Sequence, residues 1–313
     1  MGSKEPLVSI GMPVYNGASY IREALDSLLL QDYRNLEIII SDNASRDETQ
    51  AICLEYAKRD KRIHYWRSDI NRGAAWNFTN VFELASGGYF MWAAYDDYWS
   101  NSYVSSCLQA LFSSERIILS GSMCDSVDSK TGKSLYVDPG VSTVGLTAPA
   151  RFIAYMSALH RDGHIGGIFY GIYKRQILQR VMPMKKVFAN DHLVPAELCF
   201  HGEFFTVPKR LMFKRQGGVS RNYKSNARTQ GARNMLFIHF PYFSREIFLQ
   251  RIIFKTDRLK LLERVRLSFW SANNYARFCA RRTRRFFSNR PPLVFIKGPI
   301  MRFIKLWRIT RCA

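Results

Sequence analysis

The most constraining feature of this sequence is a repeat of short apolar runs in its first hundred residues. The runs Val8–Met12, Leu36–Ser41, Ile63–Arg67 and Tyr89–Ala94 begin 28, 27 and 26 residues apart. Parallel strands need a connection long enough to hold a helix, and such crossovers are right-handed. The spacing therefore predicts an α/β fold with a mostly parallel sheet, whose ligands bind beyond the carboxyl ends of the strands.

Three helices and one later strand complete this pattern. Apolar residues at helical spacing predict helices over Ile21–Leu29, Ala51–Ala57 and Ala74–Ala85. The glycine-rich, otherwise apolar segment Gly166–Tyr173 predicts a buried strand that another backbone approaches closely.

Polar residues follow the first two runs at the point where each predicted strand ends. The first is followed by Pro13–Gly17, which lacks the glycine-rich pattern of a dinucleotide-binding turn. The second is followed by Ser41–Ser45, with Asp42 at the strand end. An Asp in this place can accept hydrogen bonds from a base or a ribose. The same Ser/Asp cluster can equally cap the next helix.

Two adjacent carboxylates, Asp96 and Asp97, follow the fourth run. Burying them without partners is unfavourable, because a desolvated charge needs a counter-charge or hydrogen bonds. A divalent cation that also binds phosphate oxygens would meet that need. The alternative is a solvated turn or a helix N-cap.

At this stage the chain resembles the family-2 glycosyltransferases of the GT-A fold, from about Pro6 to Tyr223. Each of the matching segments is common by itself, whereas the ordered set on a periodic α/β half is specific. In chain order these segments are Pro13–Gly17, Ser41–Ser45, Asn71–Gly73 with Asn77, Tyr95–Asp97, Asn190–Leu193 and Gly217–Arg221.

The resemblance implies a site for a nucleotide-diphosphate sugar. The implied nucleotide-binding residues are Pro13, Tyr15 and Asp42, with Asn71, Gly73 and Asn77 closing the pocket. It also implies Mg²⁺ or Mn²⁺, with Asp97 as the direct metal ligand and Asp96 supporting the ribose or the metal's outer ligands. The family's usual Asp-x-Asp pattern is degenerate here, because Tyr95 stands two positions before Asp97.

The resemblance further implies that Asp191, in the first turn of a helix, is the catalytic base. An ordinary helix N-terminal carboxylate, favoured by the helix dipole, is the alternative. Asn190 stands where the family often has a helping acid. One base and one metal suffice for a single in-line displacement, which inverts the anomeric carbon. Arg215 and Arg221 would clamp the donor phosphates, or belong to a solvated basic loop.

The net charge of +21 lies mostly in the last part of the chain. From residue 241 onward there are 18 Lys and Arg residues against three acids. Residues Pro299–Ile309 predict a basic amphipathic helix with Trp307 on its apolar face, the composition of an interfacial membrane anchor. Packing of these helices on the catalytic domain or on a second subunit is the alternative, and the tail also allows a homo-oligomer.

The domain prediction is a GT-A catalytic domain over residues 1–230 and a basic helical extension over 231–313. The predicted function is an inverting, metal-dependent glycosyltransferase in surface polysaccharide synthesis, acting on a saccharide or lipid-linked saccharide acceptor. The competing hypotheses are a nucleic-acid enzyme that binds the phosphate backbone and a non-catalytic module that binds the membrane surface. No nucleic-acid recognition motif accompanies the charge, so nucleic acid is not expected as a partner.

The expected location is the cytoplasm, peripheral to the inner face of the cell membrane. The six cysteines are scattered, with no Cys-x-x-Cys pair, as is usual for thiols in a reducing compartment. The N-terminus has no apolar signal core, and no apolar run reaches the length of a spanning helix.

Overall fold

The strand–helix repeat of the sequence forms the first half of the fold. The computed structural model describes residues 5–162, 166–187, 189–216 and 241–288. The strands are β1 Val8–Val14, β2 Leu36–Asp42, β3 Ile63–Arg67, β4 Tyr89–Trp92, β5 Tyr98–Trp99, β6 Ile117–Asp128, β7 Ser134–Asp138, β8 Ile172–Lys174 and β9 Glu203–Gln216. The helices are α1 Ile21–Leu29, α2 Thr49–Arg59, α3 Ala74–Glu83, α4 Tyr103–Ser113, α5 Ala148–Asp162, α6 Gly166–Phe169, α7 Arg175–Leu178, α8 Asn190–Leu198, α9 Pro241–Lys255 and α10 Leu261–Ser288.

Strands β1 to β4 and helices α1 to α3 confirm the elements predicted from the periodicity. The sheet runs in the order β3-β2-β1-β4-β8-β6-β9-β5, and β7 pairs with β6. The first four strands are mutually parallel. In their register Val14 lies opposite Asp42, and Asp42 lies opposite Arg67. The carboxyl ends of β1, β2 and β3 therefore meet at one edge, which we call the ligand edge.

The sheet is covered on both faces, as expected for parallel strands whose crossovers are helical. All seven residues of β1 are buried. On one face Ile10 and Met12 share a core with Leu25 and Leu28 of α1. On the other face a Cβ at Gly11 would lie 2.8 Å from a ring carbon of Phe90, so the sheet leaves no room for a side chain there.

The segment Gly166–Tyr173 departs from its predicted strand. It forms the short helix α6 and a turn before β8 begins at Ile172. The predicted close backbone approach is correct, because a Cβ at Gly171 would lie 2.6 Å from the carbonyl oxygen of Ser120. Apolar residues alone cannot separate a buried strand from a buried helical turn, which is why the prediction was wrong for the first half of this segment.

The described part of the C-terminal region is helical, as predicted. The chain divides into two compact units at Ser271. Helix α9 and the start of α10 belong to the first unit and share its core through Leu249, Ile253 and Leu267. The predicted domain boundary after residue 230 and the amphipathic segment Pro299–Ile309 lie outside the described residues. Among the described helices, none has the length and apolar character of a membrane span.

Candidate active site

Side-chain hydrogen bonds tie the loops of the ligand edge to one another. The backbone N–H of Asn16 donates to Oγ of Ser45 at 2.9 Å, and the N–H of Gly17 donates to Oγ1 of Thr49 at 2.8 Å. Nδ2 of Asn43 donates to Oδ1 of Asn71 at 3.0 Å. These bonds connect the loops after β1, β2 and β3, so the loops form one preorganised rim.

Asp42 lies at the end of β2, fully buried, and its carboxylate is saturated by protein donors. Oδ1 accepts the backbone N–H of Ser45 at 2.8 Å. Oδ2 accepts the Tyr65 hydroxyl at 2.8 Å and the Arg67 guanidinium at 2.5 Å. Burial and the hydrogen bond to this carboxylate raise the pKa of Tyr65. Asp42 is thus a fixed anion of the pocket wall, and direct contact with a nucleotide stays a prediction.

Asn77 also serves the wall of the pocket. Its buried amide donates to the carbonyl oxygens of Ser41 at 2.9 Å and Val14 at 3.3 Å, and it accepts the Ser41 hydroxyl at 2.5 Å. These bonds attach α3 to β1 and β2. Because both Oδ1 and Nδ2 of Asn77 form hydrogen bonds within the protein, Asn77 supports the wall of the pocket.

The other predicted nucleotide residues line the open side of the rim. Pro13 is buried in β1, and Tyr15 just after it is exposed. Asn71 is exposed, and its Oδ1 also accepts the N–H of Gly73 at 2.9 Å. Gly73 precedes α3 at φ 87°, a conformation that favours glycine. Tyr15 and Asn71 are therefore the predicted residues that a nucleotide could touch directly.

The carboxylates Asp96 and Asp97 lie just after β4, where Asp97 is almost fully buried. Oδ1 of Asp97 accepts the backbone N–H of Arg215 at 3.1 Å. Oδ2 is buried and accepts no hydrogen bond from any described residue. Desolvation raises the pKa of both carboxyl groups, and the charge of Asp96 raises that of Asp97 further. The nearby cations Lys214 and Arg215 lower the pKa of both carboxyl groups but do not offset the effect of burial.

This arrangement fits the predicted divalent metal. A bare, buried carboxylate oxygen is a suitable ligand for Mg²⁺ or Mn²⁺. No group of three or more His, Cys, Asp or Glu side chains able to hold a metal occurs within the described ranges. A metal held by Asp97 would leave positions for water and for the donor diphosphate, the ligands that Mg²⁺ commonly keeps.

Arg215 lies at this site, but its guanidinium is occupied. It forms an ion pair with Glu23, and its Nη1 donates to the carbonyl oxygen of Asp96 at 2.8 Å. The guanidinium carbon lies 5.1 Å from the ring centroid of Tyr20 and 4.8 Å from that of Tyr98. These contacts hold the Asp96–Asp97 turn in place. The predicted phosphate clamp stays untested for Arg215, and Arg221 lies outside the described residues.

Lys214 is a site residue that the sequence analysis missed. Burial alone would lower its pKa, but the carboxylates of Asp97, Asp191 and Asp96 act on it together and raise it. Its Nζ lies 5.9 Å from the ring centroid of Tyr170. The same three carboxylates act on the Tyr170 hydroxyl, whose pKa rises well above its usual value through burial and these charges. The charges of the Asp96–Asp97 turn and of Asp191 therefore both act on Lys214 and on Tyr170.

Asp191 lies in the first turn of α8, as predicted, and its side chain is 43% exposed. The helix begins directly after Ala189, a non-glycine residue at φ 55°. Such a conformation is unfavourable for a side chain and is often found at functional sites. His192 lies beside Asp191, with Nε2 3.9 Å from the carboxylate, and its backbone carbonyl accepts the Tyr155 hydroxyl at 3.2 Å.

The carboxylates of Asp96 and Asp97, in the turn after β4, and of Asp191, in α8, thus all act on the charge of Lys214. Lys214 lies three residues before Gly217, and nothing local in the sequence marks it. Asp96 and Asp97, after β4, lie more than a hundred residues before Lys214 in the sequence, and Asp191 in α8 lies about twenty residues before it.

Comparison with known proteins gives a consistent result. The family model described as "Glycosyl transferase family 2" matches residues 9–182. An uncharacterized glycosyltransferase of Rickettsia typhi is 37% identical over 137 residues, 43% of this chain and 41% of that protein. The chain spans 41% or less of the rickettsial relatives it matches. The putative teichuronic acid biosynthesis glycosyltransferase TuaG of Bacillus subtilis is 32% identical over 58% of this chain and 68% of its own.

Solved structures agree on the fold. The structure of S. aureus TarS 1-349 in complex with UDP-GlcNAc has a TM-score of 0.60 at 16% identity, covering 86% of this chain and 72% of that one. The mannosyltransferase PcManGT of Pyrobaculum calidifontis, in complex with GDP-Man and Mn²⁺, has a TM-score of 0.53 at 16% identity, covering 99% and 82%. The predicted GT-A type α/β fold is confirmed, and the chain belongs to glycosyl transferase family 2.

Proposed function

We propose that this protein is an inverting glycosyltransferase that moves a sugar from a nucleotide-diphosphate donor to a hydroxyl of a saccharide or lipid-linked acceptor. The observation that carries the proposal is that Asp97, with its bare buried oxygen, and the partly exposed Asp191 both act electrostatically on Lys214. A site with a metal ligand on one side and an accessible base on the other suits a single displacement at the anomeric carbon.

Asp191 is the proposed base. An acceptor hydroxyl within hydrogen-bond reach of its carboxylate loses its proton to Asp191 as the oxygen attacks the anomeric carbon. A positioned base of this kind contributes about 10² to 10⁴-fold to the rate. Its partial exposure allows an acceptor to approach from solvent.

The leaving group is the nucleoside diphosphate. A divalent cation held by Asp97 would supply Lewis-acid stabilisation of the diphosphate. Lys214 adds a fixed positive charge at the same place, and such preorganised charge is effective because it needs no rearrangement during the reaction. Tyr15 and Asn71 offer the open side of the rim to the nucleotide, with Asp42 and Asn77 fixing the wall behind it.

The relatives suggest a donor and a biosynthetic role. TarS binds UDP and UDP-GlcNAc, so UDP-sugars are the first donors to test. TuaG is named for teichuronic acid biosynthesis, which supports a role in surface polysaccharide synthesis. Because most of the net positive charge lies in the C-terminal region, we also propose a peripheral position at the inner face of the cell membrane, with docking through that region.

The proposal is tested first by binding. Thermal shifts with Mn²⁺ and each nucleoside diphosphate should show one preferred base, because a ligand that binds only the folded state raises stability. UDP is expected to give the largest shift. Absence of any response to all nucleoside diphosphates would contradict a sugar-nucleotide enzyme and favour a nucleic-acid enzyme or a non-catalytic module.

The base is tested with a matched pair of variants on the same helix. Asp191→Asn should lower kcat about 10² to 10⁴-fold while the UDP thermal shift persists. Glu197→Gln removes a carboxylate from the next turns of α8 and should leave kcat unchanged. Full activity of Asp191→Asn would refute its assignment as the base.

A further inference from the structure

Helices α9 and α10 form an antiparallel hairpin on the side of the catalytic unit. The Ser268 hydroxyl donates to Oε1 of Gln250 at 2.5 Å, and the Ser271 hydroxyl donates to Oε1 of Glu246 at 2.8 Å. Residues later in α10 thus lie beside residues earlier in α9. Ile253 and Leu267 attach both helices to the core of the catalytic sheet.

The outer side of this hairpin exposes large apolar side chains. Phe269 is 74% exposed and Leu261 is 72% exposed, the highest values for large apolar residues among the described residues, and Leu262 is 60% exposed. Leu262 and Phe269 are seven residues apart on α10, and Arg266 lies between them on the same stripe. Phe243 and Phe254 add exposed rings on α9. We call these five apolar residues and their basic neighbours the hairpin face.

Exposed cations surround the apolar side chains. The exposed basic residues of the hairpin within the catalytic unit are Arg251, Lys255, Arg258, Lys260 and Arg266. Asp257 is exposed as well, but Arg258 lies 3.5 Å from it. The hairpin face is therefore positively charged, with apolar side chains projecting between the cations. This composition is typical of surfaces that lie in a membrane interface.

The turn that presents Leu261 and Leu262 is held in place by hydrogen bonds. Arg264 donates through Nε to the carbonyl oxygen of Leu259 at 3.0 Å and through Nη1 to that of Phe254 at 3.1 Å. Oε2 of Glu263 accepts the backbone N–H of Lys260 at 2.8 Å. Leu259 itself is buried. Because the turn is fixed to the core, exposure of the two leucines is a property of the folded unit.

The hairpin also approaches the proposed base. Helix α9 begins beside the base, where Nη1 of Arg245 lies 3.4 Å from Nδ1 of His192. From the turn at Leu261, α10 runs back along α9 to Ser271, which is level with Glu246. A surface that contacts Leu262 and Phe269 therefore extends along the hairpin toward the end of α9 that contacts α8.

We infer that the hairpin face binds an anionic lipid bilayer, with Leu261, Leu262 and Phe269 entering the interface and the surrounding cations contacting anionic headgroups. The inference rests on the proposed action of the enzyme at a membrane and assigns the contact to residues 243–269. Charge decides the occupant, because each basic residue near anionic lipid adds to binding. Five cations around a few separate apolar side chains complement the negative charge of an anionic headgroup layer.

The test is flotation of the full chain with two kinds of vesicle, phosphatidylcholine alone and phosphatidylcholine with phosphatidylglycerol. The wild type should float only with the anionic vesicles. The variant Leu261→Gln/Leu262→Gln/Phe269→Gln should lose about tenfold or more of its partition. The variant Lys255→Gln/Lys260→Gln/Arg266→Gln should lose about fivefold per cation removed.

The matched control is Leu30→Gln/Leu135→Gln, which removes two apolar side chains of 61% and 58% exposure elsewhere on the catalytic unit. It should float like the wild type. Equal flotation of the apolar triple variant would overturn the inference and assign the lipid contact to residues outside the hairpin. A wild-type dimer that the triple variant converts to monomer, without vesicle binding, would overturn it in favour of a second copy.

Failure of this inference is separable from failure of the proposed function. All variants should keep the wild-type thermal shift with UDP and Mn²⁺, which also shows that they fold. Unchanged flotation of the triple variant with a normal UDP shift contradicts the hairpin face alone. If the triple variant loses flotation as expected but the wild type responds to no nucleoside diphosphate, the glycosyltransferase proposal is contradicted and the hairpin face is still supported.

Discussion

The chain buries one carboxylate after β2 and one after β4, and the two carboxylates differ in their hydrogen-bond donors. Asp42 accepts hydrogen bonds from Ser45, Tyr65 and Arg67. Asp97 has a backbone N–H on one oxygen and no described donor on the other. The sequence shows both as an Asp after an apolar strand, so sequence position does not distinguish them.

The difference in hydrogen bonding indicates a structural role for one carboxylate and a ligand-binding role for the other. A buried carboxylate with all its donors present stabilises the fold and has little capacity left for a ligand. A buried carboxylate with a bare oxygen is unfavourable by itself, and a cation from outside relieves that cost. Asp42 therefore holds the rim together, whereas we propose that Asp97 binds a divalent metal together with the donor diphosphate.

The largest expected effect concerns Asp97 and activity. Asp97→Asn should lower kcat by about 10³-fold, because loss of one group that stabilises the leaving-group charge costs about 4 kcal/mol in the transition state. The measurement is transfer or donor hydrolysis with Mn²⁺ over a titration of the metal. Wild-type kcat at saturating Mn²⁺ in this variant would contradict the role of Asp97 as metal ligand.

The next effect concerns Asp42 and stability. Asp42→Asn leaves the guanidinium of Arg67 without its anion and should lower the free energy of unfolding by about 2 kcal/mol. Urea denaturation measures this loss. The control is a double-mutant cycle with Arg67→Met and the double variant. The coupling energy between Asp42 and Arg67 from this cycle should exceed about 1 kcal/mol. Additive effects of the two substitutions would show that the ion pair contributes nothing to folding.

The contrast also explains what the sequence could predict. The strands, the first three helices and the ligand edge follow from apolar periodicity, which is local and repeated. The Asp96–Asp97 pair was singled out because it follows an apolar strand, whereas the roles of Asp97 and Asp191 came from the family resemblance and stay predictions. The hydrogen-bond partners of Asp42 could not be found, since Tyr65 and Arg67 become neighbours only through the register of β2 and β3.

The residues that the sequence concealed depend on still longer contacts. Lys214 has no local motif, and its importance arises because β9 ends beside the turn after β4 and the start of α8. The phosphate clamp at Arg215 stays a prediction, and the contacts of its guanidinium with Glu23, Tyr20 and Tyr98 could not be predicted. Such packing across the sheet cannot be deduced from spacing along the chain.

A third prediction concerns Lys214, the cation between the two carboxylate regions. Lys214→Gln should lower kcat about tenfold or more and weaken UDP binding, because a fixed charge beside the leaving diphosphate is lost. Lys214→Arg should restore most of both. The control on the same strand is Arg210→Gln, whose guanidinium lies 3.6 Å from Asp125. Equal UDP affinity in wild type and Lys214→Gln would exclude a role in holding the diphosphate.

The smallest expected effect is a gain in stability when a residue of the site is replaced. Burial raises the pKa of Asp97 in the folded protein above its value in the unfolded chain. The folded state therefore binds the proton more tightly, and Asp97 lowers stability increasingly as pH rises between the unfolded and the folded pKa. Without metal, Asp97→Asn should be more stable than wild type by about 1 kcal/mol near neutral pH.

Thermal unfolding of both proteins in a chelator, at acidic and at neutral pH, measures this difference. The advantage of the variant should vanish at acidic pH, where Asp97 is protonated in the wild type as well. Mn²⁺ with UDP should then stabilise the wild type and leave Asp97→Asn nearly unchanged, since its amide is a poor metal ligand. Equal stability of the two metal-free proteins at every pH would mean that the bare oxygen of Asp97 is solvated and that the contrast with Asp42 is smaller than the hydrogen bonds indicate.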